Sequence, residues 1–310
     1  MDKRVVYTLL LFFSINLSFA QQYFVLEKNT DEYQTKNYEL NSKNLYGIDK
    51  KIYLYNLLFE DLMHKSSPEK TLVLFSVLPS AENNNDWEEI GLDSIQNKII
   101  SVGTLRQLSD QSLYKRTDLK YGSTTKYWNN YKIIVEHSGK YYSPKNCLLQ
   151  FYAIQNRIDV FNHPYNSIDL SQDFHSMAEV KKLYTTTTQN NSFPVDLPPN
   201  DKYFDTLRER REYLSKKILI DQQAYYQFWT FSDWGRVSSK VTKDPHKVYF
   251  AYERGIDRFL YSPSSLIVGG SYDFYFYHYQ NEFGINADVF QKNITDEKIM
   301  IPSNSKLIRY

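Results

Sequence analysis

The sequence predicts an α+β protein: a mixed N-terminal α/β region, then a long amphipathic helix packed on a C-terminal antiparallel meander sheet. Two stretches, Tyr46–Lys65 and Tyr203–Trp229, carry apolar residues at helical spacing. Runs rich in β-branched and aromatic residues recur between and after them. Turn-forming pairs and triplets punctuate the last third of the chain, as a meander requires.

The chain opens MDKRVVYTLLLFFSINLSFAQQ. Lys3 and Arg4 form a basic start, Val5 to Leu17 an apolar core too short to span a bilayer, and Ser18-Phe19-Ala20 a small-residue exit. This predicts a signal peptide over residues 1–20, a mature start at Gln21, and export to the periplasm, cell surface or medium. The low Gly content and the wealth of Lys, Asn, Ile and Tyr fit an AT-rich bacterial genome. That origin accounts for many of the 28 tyrosines without selection for function.

Residues 21–184 make up the expected mixed region. Gln22–Glu27 reads as a short strand. Ile48, Ile52, Tyr55, Leu58 and Leu62 form a stripe that predicts a helix ending before Pro68. Thr71–Leu78 is a continuous apolar run, the pattern of a buried strand. Asp93 is placed to cap a helix through Leu108. Tyr131–His137, a Gly139 turn and Tyr141-Tyr142 read as a hairpin, and Cys147–Ile154 and Arg157–Phe161 as further strands.

Residues 185–200 have no periodicity and two consecutive prolines, so they are read as a linker or long surface loop. In 201–310, Phe204, Leu207, Leu214, Ile218, Tyr225 and Phe228 give the long helix its stripe. Lys247–Glu253, Arg258–Ser262, Ser265–Gly270 and Ser271–Gln280 follow as strands, and Asn286–Asn293 and Glu297–Pro302 as edge strands.

Composition restricts the function. Loss of the leader takes Lys+Arg from 37 to 35 and Asp+Glu from 36 to 35. A neutral chain lacks the basic stripe that nucleic acid demands. No later run is long and apolar enough for a membrane helix. Cys147 stands alone, so no internal disulfide forms, and it reads as a small buried hydrophobe.

Nucleophile-elbow, zincin, phosphate-loop and dinucleotide motifs are all missing from the sequence. His163 and His175 flank Asp169 and Asp173, the densest set of ligand-type residues, but spacing sets no coordination geometry. Asn83–Glu89 lacks the order of a calcium loop. No cofactor or metal is expected. Glu253, Asp257 and Asp273 are the carboxylates a hydrolase of glycan or peptide would use; beside Arg258 they also suit solvent-facing salt bridges.

Aromatic density is the unusual signal. Tyr225–Trp234 and Gly269–Gln280 each hold six Phe, Tyr or Trp rings. Read as a strand, the second stretch puts Tyr275, Tyr277 and Tyr279 on one face. With Trp229 and Trp234 they make a candidate stacking surface for a ligand. The expected function is a non-catalytic binding or envelope-associated accessory module whose partner is protein or glycan; the alternative is the carboxylate hydrolase.

Overall fold

A computed structural model describes residues 21–27, 30–60, 70–81, 85–113, 127–128, 130–155, 166–179, 182, 212–220, 222–230 and 255–302. The signal peptide, the 185–200 linker, Arg157–Phe161, Lys247–Glu253 and Trp234 lie outside the described residues.

The architecture is mostly β, in three stacked sheets. Sheet 1 has the order β1 (Gln22–Val25), β7 (Tyr131–His137), β8 (Lys140–Pro144), β5 (Trp87–Glu89). Sheet 2 has the order β10 (Ser167–Asp169), β9 (Asn146–Gln155), β4 (Lys70–Leu78), β3 (Lys51–Phe59), β2 (Gln34–Asn41), and β6 (Tyr127–Trp128) also pairs with β9. Sheet 3 is an antiparallel meander of β11 (Glu212–Ile220), β12 (Gln223–Thr230), β13 (Arg258–Ser262) and β14 (Leu266–Ser271). The described helices are short: α1 (Lys43–Tyr46), α2 (Leu92–Ile95), α3 (Val102–Leu113), α4 (Asp273–His278), α5 (Gln280–Phe283) and α6 (Asp288–Thr295).

Sheet 2 is the middle layer and is buried on both faces. One face sends Leu57, Val73, Phe75, Leu149 and Phe151 toward Phe24 and Ile133 of sheet 1 and Leu105 of α3. The other sends Ile52, Leu54, Leu72, Leu74 and Tyr152 toward Phe228, Phe259 and Ile267 of sheet 3. Residues on both sides of the expected linker therefore share one core. Strands buried on two faces must be apolar at nearly every position, which explains the unbroken run of β4.

The expected long amphipathic helix is absent, and with it the α+β class. From Glu212 onward the stretch is a β-hairpin, β11–β12, while 203–211 lie outside the described residues. Ile220 pairs with Gln223, and Gln222 takes φ +66, so the tight turn forms without a glycine. The Tyr46–Lys65 helix is corrected likewise: α1 stops at Gly47, with φ +77, and Lys51–Phe59 is β3. Doubly buried strands place apolar side chains three and four residues apart as a by-product of placing them everywhere. The Asp93–Leu108 helix is broken between α2 and α3, where Ile99 bridges Tyr23 in extended form.

Two further corrections run the other way. Asp273–His278, expected within a strand, is α4, and Asp288–Thr295, expected as an edge strand, is α6. Aromatic residues favour strands only where a pleated surface receives them; here Asp257 accepts the Phe274 N–H at 3.0 Å and fixes the helix start. The paired glycines before α4 have a packing cause. A Cβ on Gly269 would stand 2.3 Å from the Met300 carbonyl oxygen, and one on Gly270 2.6 Å from that of Arg258. Opposite this stretch the register shifts between Leu260 and Tyr261, a β-bulge or irregularity of the ladder. The strands expected at β1, β4, β7–β8, β9, β13 and β14 are present.

Candidate functional site

The helical form of 273–278 redistributes the candidate rings. On a helix, residues four apart share a side and residues two apart do not. Tyr275 and Tyr279 therefore meet, at 5.0 Å between ring centres, while Tyr277 turns away and meets Phe290 edge-on at 5.5 Å. Tyr275 is buried, and its hydroxyl donates to the Pro79 carbonyl at 2.5 Å. Trp229 is fully buried, stacked on Tyr213 at 4.5 Å, and its indole N–H donates to the His175 carbonyl. Of the described candidate rings, Tyr277 and the half-buried Tyr279 reach solvent.

The carboxylates turn inward. Arg258 and Asp273 are 2% and 0% exposed and form an ion pair of 2.5 Å between Nη1 and Oδ2. Arg258 also donates from Nε and Nη2 to the Lys298 carbonyl, at 3.0 and 2.9 Å. The Tyr46 hydroxyl donates to Asp273 Oδ1 at 3.0 Å and accepts the Tyr272 N–H at 2.9 Å. Burial alone would lower the Arg258 pKa, but Asp273 and Tyr46 reverse this and raise it. Burial, then Asp273, holds the Tyr46 hydroxyl well above its usual value. The solvent-facing salt bridges expected for Asp257, Arg258 and Asp273 are thus an internal clamp joining α1, β13, α4 and the segment after α6. Glu253 lies outside the described residues.

A second set of polar side chains crosses between sheets 2 and 3. Asn56 donates to the Ile267 carbonyl at 3.0 Å and accepts the Ile267 N–H at 3.2 Å. Gln150 accepts the Ile256 N–H at 2.9 Å and donates to the Tyr152 hydroxyl at 3.0 Å. Tyr272 donates to Ser76 at 2.5 Å.

The described residues of the His163–His175 stretch bring no ligand set together. His163 lies outside the described residues. Asp169 Oδ1 accepts the Ser171 N–H and hydroxyl at 2.8 and 2.7 Å, closing a local turn. The His175 ring meets Tyr213 edge-on at 5.7 Å. Among the described residues no three His, Cys, Asp or Glu side chains come together as metal ligands. No described helix is long and apolar enough to cross a membrane.

Two surface features remain. The first is an aromatic rim on α4–α5: exposed Tyr277 and His278, half-buried Tyr279 and Phe283. Buried Tyr275 and Phe276 brace it, with Phe276 and Phe283 at 5.3 Å. Burial lowers the His278 pKa, and Glu282 opposes the shift. The second is the outer edge of β11, where Leu219 is 69% exposed and Lys217 also faces solvent. The helix reading hid this edge; the β-branched Ile218 and Ile220 were the signal for it. Comparisons with family models, curated proteins and solved structures give no match.

Proposed function

We propose that the chain is exported and works as a non-catalytic binding or envelope-associated module, with a protein or glycan partner. The aromatic rim on α4–α5 carries this reading. Tyr279 and Phe283 sit at the solvent boundary over buried Tyr275 and Phe276, His278 stands edge-on to Tyr279, and Tyr277 lies on the other side of the helix against buried Phe290. Rings fixed before contact lose little entropy on binding, and both tyrosines add a polar tip. The internal use of Asp257 and Asp273 supports binding over carboxylate hydrolysis.

Co-sedimentation of the purified chain with cell-envelope glycan, and with envelope glycan stripped of protein, tests the reading. Tyr277→Ala and Tyr279→Ala are expected to lower retention while melting temperature stays near that of the parent. Unchanged retention in both variants sinks the rim as the contact surface. Fractionation of a tagged chain checks export; full-length uncleaved protein in the cytoplasm refutes it.

A further inference from the structure

We infer that the open half of the β11 edge accepts an extended acidic segment of a partner protein as an added strand. Sheet 3 ends at β11, and β12 occupies its inner side. In a hairpin with a two-residue loop, the pair flanking the loop exchanges hydrogen bonds, and every second pair after it does so again. Ile220–Gln223, Ile218–Tyr225 and Lys216–Gln227 are those pairs. The backbone N–H and C=O of Lys217 and Leu219 therefore point outward, away from β12. Such a row is a template for one more strand.

The edge is closed along its first half and open along its second. His175 donates its N–H to the Leu214 carbonyl at 2.7 Å. One residue on, Glu297 accepts the Ser215 hydroxyl at 2.8 Å and the Met177 N–H at 3.1 Å. Residues 175–177 thus lie as a strap along the start of β11. The register shift between Leu214 and Lys216 marks where the strap's cover ends. Beyond it, no described residue bonds the outward groups of Lys217 or Leu219.

Charge selects the occupant. Lys216 and Lys217 are adjacent, and no carboxylate occurs from Tyr213 to Ile220. Neither lysine is in an ion pair among the described residues. Edge lysines are a common device against pairing with a like strand. A second copy would set two more lysines against these, its nearest carboxylates in sequence, Glu212 and Asp221, falling outside the open half. A strand with Asp or Glu opposite Lys217 and an apolar residue beside Leu219 meets both side chains. The inference is independent of the aromatic rim, so loss of rim binding leaves it standing.

The test uses the full chain and a short fluorescent peptide repeating Glu-Thr-Val-Thr, which sets Glu and Val two residues apart on one face (the Glu–Val peptide), with Lys-Thr-Val-Thr (Lys–Val) and Glu-Pro-Val-Pro (Glu–Pro) peptides as controls. Anisotropy is expected to show saturable, salt-sensitive binding of the Glu–Val peptide alone. The double charge reversal Lys216→Glu, Lys217→Glu is expected to weaken it about tenfold or more and to admit the Lys–Val peptide. Leu219→Pro removes an outward N–H that the β11–β12 ladder does not use; it is expected to abolish binding, with Leu219→Ala intermediate. Melting curves confirm that each variant is folded. Equal binding of the Glu–Val and Lys–Val peptides, or no binding of either, overturns the inference. So does a concentration-dependent dimer that Leu219→Pro dissolves, because the edge then belongs to a second copy.

Discussion

Asp273→Asn removes the charge that faces Arg258 while keeping the shape of the side chain. The guanidinium then keeps the Lys298 carbonyl and the charge of Asp257 but loses its ion-pair partner. Removing one partner of a buried pair costs about 3–5 kcal/mol, because the remaining charge stays desolvated. At about 2–4 °C per kcal/mol for a chain of this order of size, the melting temperature falls by roughly 6–20 °C. The informative comparison is the double variant Arg258→Met, Asp273→Leu. It removes both charges and fills the space, leaving the Lys298 carbonyl and the Tyr46 hydroxyl each short of a partner, at about 1–3 kcal/mol per group. The double variant is therefore expected to be more stable than Asp273→Asn alone. Urea unfolding of the parent, Arg258→Met, Asp273→Leu and the double, followed by circular dichroism, closes the cycle, with Asp273→Asn measured beside them. A loss below about 1 kcal/mol for Asp273→Asn, the range of exposed pairs, would refute the clamp as a buried element. A double variant whose loss equals the sum of the singles would refute the coupling.

Three further outcomes are expected. Asn56→Ala strands the Ile267 N–H and carbonyl between sheets 2 and 3, and urea unfolding should show a loss of about 2–4 kcal/mol; a change within about 0.5 kcal/mol would make the two bonds incidental. Gly269→Ala pushes a methyl group into the Met300 carbonyl, and amide exchange at Met300 should quicken, with about 1–3 kcal/mol lost; unchanged exchange contradicts the contact. Burial holds Tyr46, Tyr152 and Tyr272 above their usual pKa and pushes Tyr261 up to about 12. Their stabilising effect is intact below pH 10, where the unfolded chain begins to ionise, and is lost as pH rises through 12. Tyrosinate absorbance from this set should appear together with loss of the β signal; ionisation of the set in a folded chain refutes it.

The sequence is legible where one pattern excludes the other. Thr71–Leu78 is too short and too uniformly apolar for an amphipathic helix, and Ser138-Gly139 closes β7–β8 with positive φ at both residues. Lys51–Phe59 and Glu212–Thr230 are legible both ways, because burial on two sides fills helical and strand positions alike. Packing decides, and packing is set by residues far along the chain. The same holds for Asp273. Its nearness to Arg258 follows from the β14 turn into α4, so the sequence places it near the pair's surroundings but not inside the core. The rim was half legible: Tyr277 and Tyr279 stand out by density, whereas His278 and Phe283 join them only once 273–283 is helical.

The polar crossings between sheets 2 and 3 also bear on how the chain folds. Asn56 meets Ile267 across 211 positions, Tyr272 meets Ser76 across 196, and Gln150 meets Ile256 across 106. Every strand of sheet 2 precedes residue 170, so that layer can assemble before any strand of sheet 3 is available. Closure over such separations is slow, and sheet 2 presents an uncovered face in the interval. Asn56, Ser76 and Gln150 put hydrophilic points along that face. Water can satisfy them while the face is bare, and each then meets a partner in the arriving segment, which sets where sheet 3 docks. The residues that register the finished layers thereby also make the half-built chain less prone to stick to another copy.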